Sequence, residues 1–388
     1  MAPQAMATVL AASLFASGLM DILVGHYLRE RTRSVRAAAT VQLAGAIGSG
    51  VTFFLFLTTA LVSGSQRVVF ALAIGLAFRL AYAFYDVPQN AILGLAIGND
   101  RLRTSLSSLR FVCSGLASLS IAATAPLLLT AGRQTEWFAA LGCGVCIIGI
   151  SSSALFLWIC RRTAATTQAI GAKQPLPGRT AGAPLLPGRP VILLLLIGFI
   201  LSASSVVFLK LEPYFAAYIL KTTAARSMVM LSIAGGGIAS QFCAAWIAAR
   251  WHVPAAFRLS AVTLTAGAII FMSVGTQSAL WAATAGFIVG FGINGLGMLL
   301  WAAVGNFAAA SASHPRSLPP TLIFGMLTFS QKSASALATL VIGAVLTLNG
   351  ILPTAFGTFL PIVVAMSIAP IIGAVICLIL ADCLKVEH

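Results

Sequence analysis

Charge is what this sequence has least of. Only 8% of its 388 residues are Asp, Glu, Lys or Arg, against about a quarter in an ordinary soluble domain. With 59% hydrophobic residues and a mean hydropathy of +1.01, too little polar surface remains for a water-soluble fold. An all-α, multi-pass membrane protein is therefore expected. Acids are scarcer still: 8 Asp and Glu face 23 Lys and Arg, for a formal net charge of +15. In a soluble protein that imbalance would suggest nucleic acid. In a membrane protein it reflects basic loops on the cytoplasmic side, and no nucleic-acid partner is expected. His26, His252, His314 and His388 have no metal-ligand spacing. There is no Walker-type loop, nucleophile elbow or nucleophile–base pair, so neither an enzyme nor a metal or resident cofactor is expected. Cys143-Gly-Val-Cys146 has redox spacing but lies within an apolar run, where small packing residues are the better reading.

What is present is a series of apolar runs long enough to span a bilayer. They fall at about 5–25, 38–63, 68–98, 108–131, 137–160, 191–220, 227–249, 257–275, 279–307, 319–347 and 354–384. The first contains Asp21 and has no basic residue ahead of it, so it is read as a span rather than a leader. Between the spans, 16 of the 23 basic residues fall on one side, 4 on the other and 3 inside spans. The rich side is the cytoplasm by the positive-inside rule. This predicts a cytoplasmic C-terminus, an outward N-terminus and residence in a bacterial inner membrane. The stretch 163–189, rich in Pro, Gly, Ala and Thr, reads as a cytoplasmic linker between an N-terminal bundle (1–162) and a C-terminal six-helix bundle (190–388). Five spans precede it and six follow. A six-plus-six plan of inverted three-helix repeats, without its first helix, would give this count and orientation. A shortened chain or a start placed downstream would both produce it.

The chemistry is carried by the few charges inside spans, because each costs at least a few kcal/mol there unless it finds a partner or water. Arg79 and Asp86 are seven residues apart, nearly two turns, so they share a helix face at roughly 10 Å separation. Tyr82 and Asn90 fall near the same stripe, which suggests the wall of a translocation pathway. Pro88 should loosen the helix and free a carbonyl near Phe84. Arg110 stands where the next span begins. Lys332 is the sole charge between Arg316 and Asp382, and an acid of the other half is its simplest partner: Asp21, Asp86 or Glu212. Asp21 could instead pair with the arginines of the following loop. Lys210 and Glu212 sit near the outer end of their span and are expected to snorkel. Tyr214, Phe215 and Tyr218 form either an aromatic belt or a cavity wall. The run Gly235-Gly236-Gly237 lies inside a span and reads as helix packing rather than a phosphate loop.

Four segments together resemble the glycoside–pentoside–hexuronide cation symporters, the melibiose-permease-like family of the major facilitator superfamily. They are LMDILVGHYLRERTRS, YDVPQNAILGLAIGNDRLRTSLSSLRF, LEPYFAAYIL and FGMLTFSQKSASALA. The resemblance covers about residues 6–384. It implies that Asp86 and Arg110 bind sugar hydroxyls, with Tyr82 and Asn90 beside them. It also implies that Asp21 belongs to a cation site and that Lys332 bridges the halves near it. Arg33, Asp100 and Arg103, in the acid-and-basic loops, would serve gating. The chain departs from the family at Ser17, where an acid is usual, at Ile22 in place of a proline, and at Ala302–Phe307, where two acids are missing. The expected function is secondary active transport of a sugar or related polar solute, coupled to H+ or Na+ where coupled at all. The alternatives are transport of amphipathic, lipid-like molecules, and a transport-inactive membrane partner or sensor. The expected partners are a small-molecule solute and the lipid bilayer.

Overall fold

A computed structural model describes residues 3–61, 66–95, 100–130, 134–169, 187–220, 222–312, 318–348 and 360–381. Eleven helices fill them: α1 (Pro3–Leu28), α2 (Val35–Leu57), α3 (Gln66–Leu95), α4 (Asp100–Thr130), α5 (Gln134–Ala169), α6 (Arg189–Tyr218), α7 (Thr223–Trp251), α8 (Val253–Val274), α9 (Ala279–Ala312), α10 (Pro320–Leu348) and α11 (Leu360–Leu380). Helix is what a bilayer demands of an open chain, since every backbone N–H and C=O must be satisfied within its own segment. Among the described residues, ten of the helices are long and apolar enough to cross a membrane, α4 being the other. Caps start several of them: Ser34 accepts from the Ala37 N–H at 3.2 Å, Thr222 accepts from the Ala225 N–H at 3.2 Å, and α6 and α8 carry a proline in the first turn.

Each expected span becomes one helix. The largest departures are at polar ends. α4 begins at Asp100 rather than near 108, and α5 runs on through Arg161 and Arg162 to Ala169. Apolarity marks the part of a helix that meets hydrocarbon, and the helix itself continues into the headgroup region. The expected linker therefore starts inside α5, and most of it, 170–186, lies outside the described residues.

The helices form two bundles. In the first, α2 packs on α3 and α5, and α1 on α3. In the second, α6 packs on α10 and α11, α8 on α9 and α11, and α7 on α9. The bundles meet where α1 lies along α10, α3 against α9 and α10, and α4 against α7 and α9. Small residues mark several of their close approaches. A Cβ on Gly25 would stand 2.7 Å from the Thr321 carbonyl oxygen, and one on Gly94 would stand 2.7 Å from Ala308. Ser107 donates to the Met298 carbonyl at 3.1 Å and Ser108 to the Gln241 carbonyl at 2.9 Å.

Within the second bundle the glycine run of α7 is a packing device. A Cβ on Gly236 would lie 2.0 Å from the Phe287 carbonyl oxygen of α9, and one on Gly290 would lie 2.1 Å from the Ile233 carbonyl oxygen of α7. Backbone thus meets backbone, as small residues allow in membrane helix pairs. In the first bundle Gly45 of α2 plays the same part. Its Cβ would stand 2.3 Å from the Tyr85 nitrogen and 2.6 Å from the Phe84 oxygen of α3. Phe84 is the residue whose carbonyl loses its partner to Pro88. Cys146 packs likewise, its thiol donating to the Gly50 carbonyl at 2.9 Å. Gly236→Leu is expected to lower the thermal midpoint of the detergent-solubilised protein by several degrees, overpacking costing about 1–3 kcal/mol. Gly235→Ala, whose Cβ would meet only the Phe287 ring at 4.0 Å, should leave the midpoint unchanged or slightly higher.

Candidate functional site

Three of the charges carried by the spans, Asp86, Arg110 and Lys332, meet at a cavity of about 320 Å³ between the bundles. From the first bundle α3 supplies Asp86 and Asn90, one turn apart, and α4 supplies Arg110. From the second, α6 supplies Ser202, α9 supplies Trp301, and α10 supplies Thr328, Gln331, Lys332 and Ser335. The lining is polar or charged except for the Trp301 indole, so the cavity suits a hydrophilic guest.

Lys332 holds the wall together. Its Nζ stands 2.6 Å from an Asp21 carboxylate oxygen and donates to Ser17 Oγ at 3.1 Å, so α10 is tied to α1 across the bundle boundary. Asp21 is 0% exposed and sits behind the cavity wall rather than in it, while Lys332 reaches the cavity surface. The Tyr82 ring faces the same ammonium at 5.8 Å.

Arg110 and Asp86 are arranged differently. Arg110 lies over the Trp301 ring at 4.8 Å, and Trp301 stacks in turn on Phe324 with centroids 5.6 Å apart. The Arg110 Nη1 is buried and makes no hydrogen bond. Asp86 faces the charges of both Lys332 and Arg110. Among the described residues neither Asp86 nor Arg110 closes an ion pair; the cross-bundle pair is that of Lys332 with Asp21. A carboxylate acceptor and a guanidinium donor are thus left facing one cavity.

The stripe on α3 divides. Asp86 and Asn90 turn to the cavity, whereas Arg79 donates to Ser13 of α1 at 3.2 Å. Tyr82 stands beside the cavity, in a row of rings with Phe78 at 5.7 Å and Tyr85 at 5.9 Å. The expected gating residues lie away from it. Arg33 pairs with Glu30 at 3.9 Å on the surface, Arg103 is half-buried in the first turn of α4, and Asp100 opens that helix, its side chain outside the described residues. The expected snorkelling of Lys210 and Glu212 is corrected. Lys210 donates to Thr339 of α10 at 2.8 Å, and Glu212 is only 5% exposed, with Oε1 unpartnered. Two of the aromatics beyond it do not line this cavity. Phe215 is buried against Phe271 at 4.9 Å, and Tyr218 is 40% exposed. Sequence reasoning missed Trp301 and Ser202, because an indole and a serine in an apolar run carry no signal until a neighbouring helix presents a charge to them.

Comparisons with known proteins bear on the family and the fold. The family model described as MFS/sugar transport protein matches residues 1–387. YagG of Escherichia coli (strain K12), which carries a provisional glycoside/cation symporter name, is 29% identical over 157 residues, covering 40% of this chain and 34% of YagG. The chain thus matches about a third of that relative's length. The E. coli fucose:proton symporter superposes with a TM-score of 0.67 at 12% identity, covering 98% of this chain and 92% of that one. A bacterial homologue of the iron transporter ferroportin, in its outward-facing state, gives 0.67 at 15% identity, covering 97% and 90%. The human organic anion transporter MFSD10 gives 0.64 at 15% identity, covering 98% and 83%. At these identities the structural matches speak for the fold, which is that of the two-bundle major facilitators.

Removing one member of the Lys332–Asp21 pair strands the other. Lys332→Met is expected to destabilise the solubilised protein by on the order of 3–5 kcal/mol, and the double variant Lys332→Met/Asp21→Asn to recover most of the loss. Thermal unfolding of the three proteins side by side measures this. A double variant as unstable as the single one would show that the pair is not the reason.

Proposed function

Because the chain belongs to the MFS/sugar transport protein family, we propose that it is a secondary transporter of a sugar or related polar organic solute, working by alternating access between its two bundles. The observation that carries this reading is the open acceptor–donor set in one cavity: Asp86 without an ion pair and Arg110 with Nη1 unsatisfied. Burying a guanidinium nitrogen without an acceptor is costly, and a hydroxyl-rich guest supplies what both groups lack. Its hydroxyls would donate to the Asp86 carboxylate and accept from Arg110 in charge-assisted bonds. Asn90, Ser202, Gln331 and Ser335 would contact the remaining hydroxyls, and the Trp301 face would take the apolar side of a ring. Asp21 and Lys332 would act on coupling and on the join between the bundles, and Arg33, Asp100 and Arg103 on gating. An amphipathic guest is supported less, since a lipid tail would leave the Asp86 and Arg110 charges unanswered.

We take the end bearing the Gly25 and Gly94 contacts to be cytoplasmic, because the basic loops lie on that side. Residues Asp86 and Gly94 on α3 are eight positions apart, so the cavity stands about 12 Å above the contact at Gly94. We therefore read this state as closed toward the cytoplasm, with the C-terminus cytoplasmic and the protein in a bacterial inner membrane. Residues 1–162 and 190–388 would move as the two rigid bodies.

Uptake by proteoliposomes, screened over labelled mono- and disaccharides, tests the reading. Asp86→Asn and Arg110→Gln should each reduce uptake of the transported solute about tenfold to a hundredfold, as the loss of a charge-assisted bond predicts. Lysolipids should not compete. Undiminished uptake by both variants, or competition by lysolipids alone, would sink it.

A further inference from the structure

A second cavity, of about 420 Å³, lies between α4, α6, α7 and α9. Three of these helices also line the first one. On α4, Ser114 and Ser118 follow Arg110 at one-turn intervals. On α9, Asn294 stands seven residues before Trp301. On α6, Glu212 comes ten residues after Ser202, about 15 Å along the axis. The second cavity therefore continues the first toward the end where α4 and α6 finish.

Its polar side-chain atoms are oxygens but for the Asn294 amide nitrogen. Glu212 is 5% exposed, and its Oε1, buried, has no hydrogen-bond partner. Asn294 Nδ2 donates to the Gly290 carbonyl at 3.0 Å, which fixes the amide so that Oδ1 is the atom left to accept. Pro213 stands inside α6 and has no N–H, so the carbonyl four residues back, on Leu209, loses its helical donor. Leu209 and Pro213 both line the cavity. The Ser114 and Ser118 hydroxyls can add two further oxygens. No Lys, Arg or His is among the lining residues. A carboxylate with neutral amide, carbonyl and hydroxyl oxygens, and no fixed cation, is the donor set of a hard monovalent cation, with a carbonyl freed from helical bonding as a ligand. A softer metal is not indicated, since among the described residues no group of three His, Cys, Asp or Glu gathers.

We propose that Glu212, Asn294 and the Leu209 carbonyl form a site for an alkali cation in the second bundle, apart from the Lys332–Asp21 pair. At the pair, the Lys332 ammonium already fills the place a cation would take. The proposal rests on the transport reading only for its purpose, which is coupling; the site itself stands on the cavity. Gly237 fits this use, because a Cβ there would come within 2.6 Å of the Asn294 amide nitrogen and push it away.

The test is thermal unfolding of the full-length protein in nanodiscs, titrated with NaCl and with choline chloride at constant ionic strength, alongside equilibrium binding of ²²Na+. Sodium should raise the wild-type midpoint saturably where choline does not. Glu212→Gln should weaken sodium binding at least tenfold, and Asn294→Ala and Gly237→Val should each weaken it by less. Should Glu212→Gln fail to fold, Asn294→Ala and Glu212→Asp carry the comparison. Asp86→Asn, which strips the solute site, should leave sodium binding intact. Equal sodium responses in wild type and Glu212→Gln would overturn the proposal, as would a response to pH with none to any alkali cation. Sodium binding that depends on Glu212 in a protein that transports no solute of the panel would uphold the site and refute the proposed function. Solute uptake without such binding would do the reverse.

Discussion

A buried charge in a membrane protein must be answered by another group, and here one answer organises the interior. The Lys332 ammonium meets the Asp21 carboxylate at 2.6 Å and Ser17 at 3.1 Å. Either charge alone would be costly in hydrocarbon. Because the two belong to different bundles, the pair also fixes how α1 and α10 face each other. Around it the bundles come together through glycines, with Gly18 against Phe329, Gly25 against Thr321 and Gly325 against the Asp21 carbonyl. Asp86 and Arg110 can then remain without ion pairs, since Lys332 already has its counter-charge. An ammonium free to swing toward Asp86 would have closed the cavity by neutralising it.

The span pattern was legible because backbone satisfaction forces helices, and hydrocarbon thickness forces their apolar length. The charges that matter were legible too, since Arg79, Asp86 and Lys332 stand out against apolar neighbours. Which partner each would take was not. A linear sequence gives depth in the membrane but little about azimuth. Glu212 illustrates the limit. Its depth suggested an outer end and snorkelling, whereas its position around α6 turns it inward. Lys210, two residues earlier and so roughly 200° around the helix, had to face elsewhere, and it does, toward Thr339 of α10. Trp301 was invisible for a related reason. Its role comes from Arg110, 191 positions earlier, laid over its ring.

The departures from the resembled family gain a physical sense. Ser17 stands where the family has an acid, and here its hydroxyl accepts from Lys332. With a hydroxyl there, Asp21 is the carboxylate in contact with the ammonium, and Asp86 faces it across the cavity. Asn306, in the stretch that lacks two acids, is buried with its Oδ1 unpartnered, a polar group where the family would carry charge. The acids that remain are distributed accordingly: Asp21 serves the join between bundles, Asp86 faces the central cavity, and Glu212 faces the second.

Gly45 has a mechanical consequence. α2 rests directly on the backbone of α3 at Phe84 and Tyr85, the turn that Pro88 weakens. A helix with a missing internal hydrogen bond would ordinarily be free to flex there. Here a bend of α3 toward α2 drives its backbone into that helix, which is itself seated on α5. The turn bearing Asp86 is thus geared to its whole bundle. A displacement at Asp86 toward α2 would therefore be shared by three helices rather than taken up within α3.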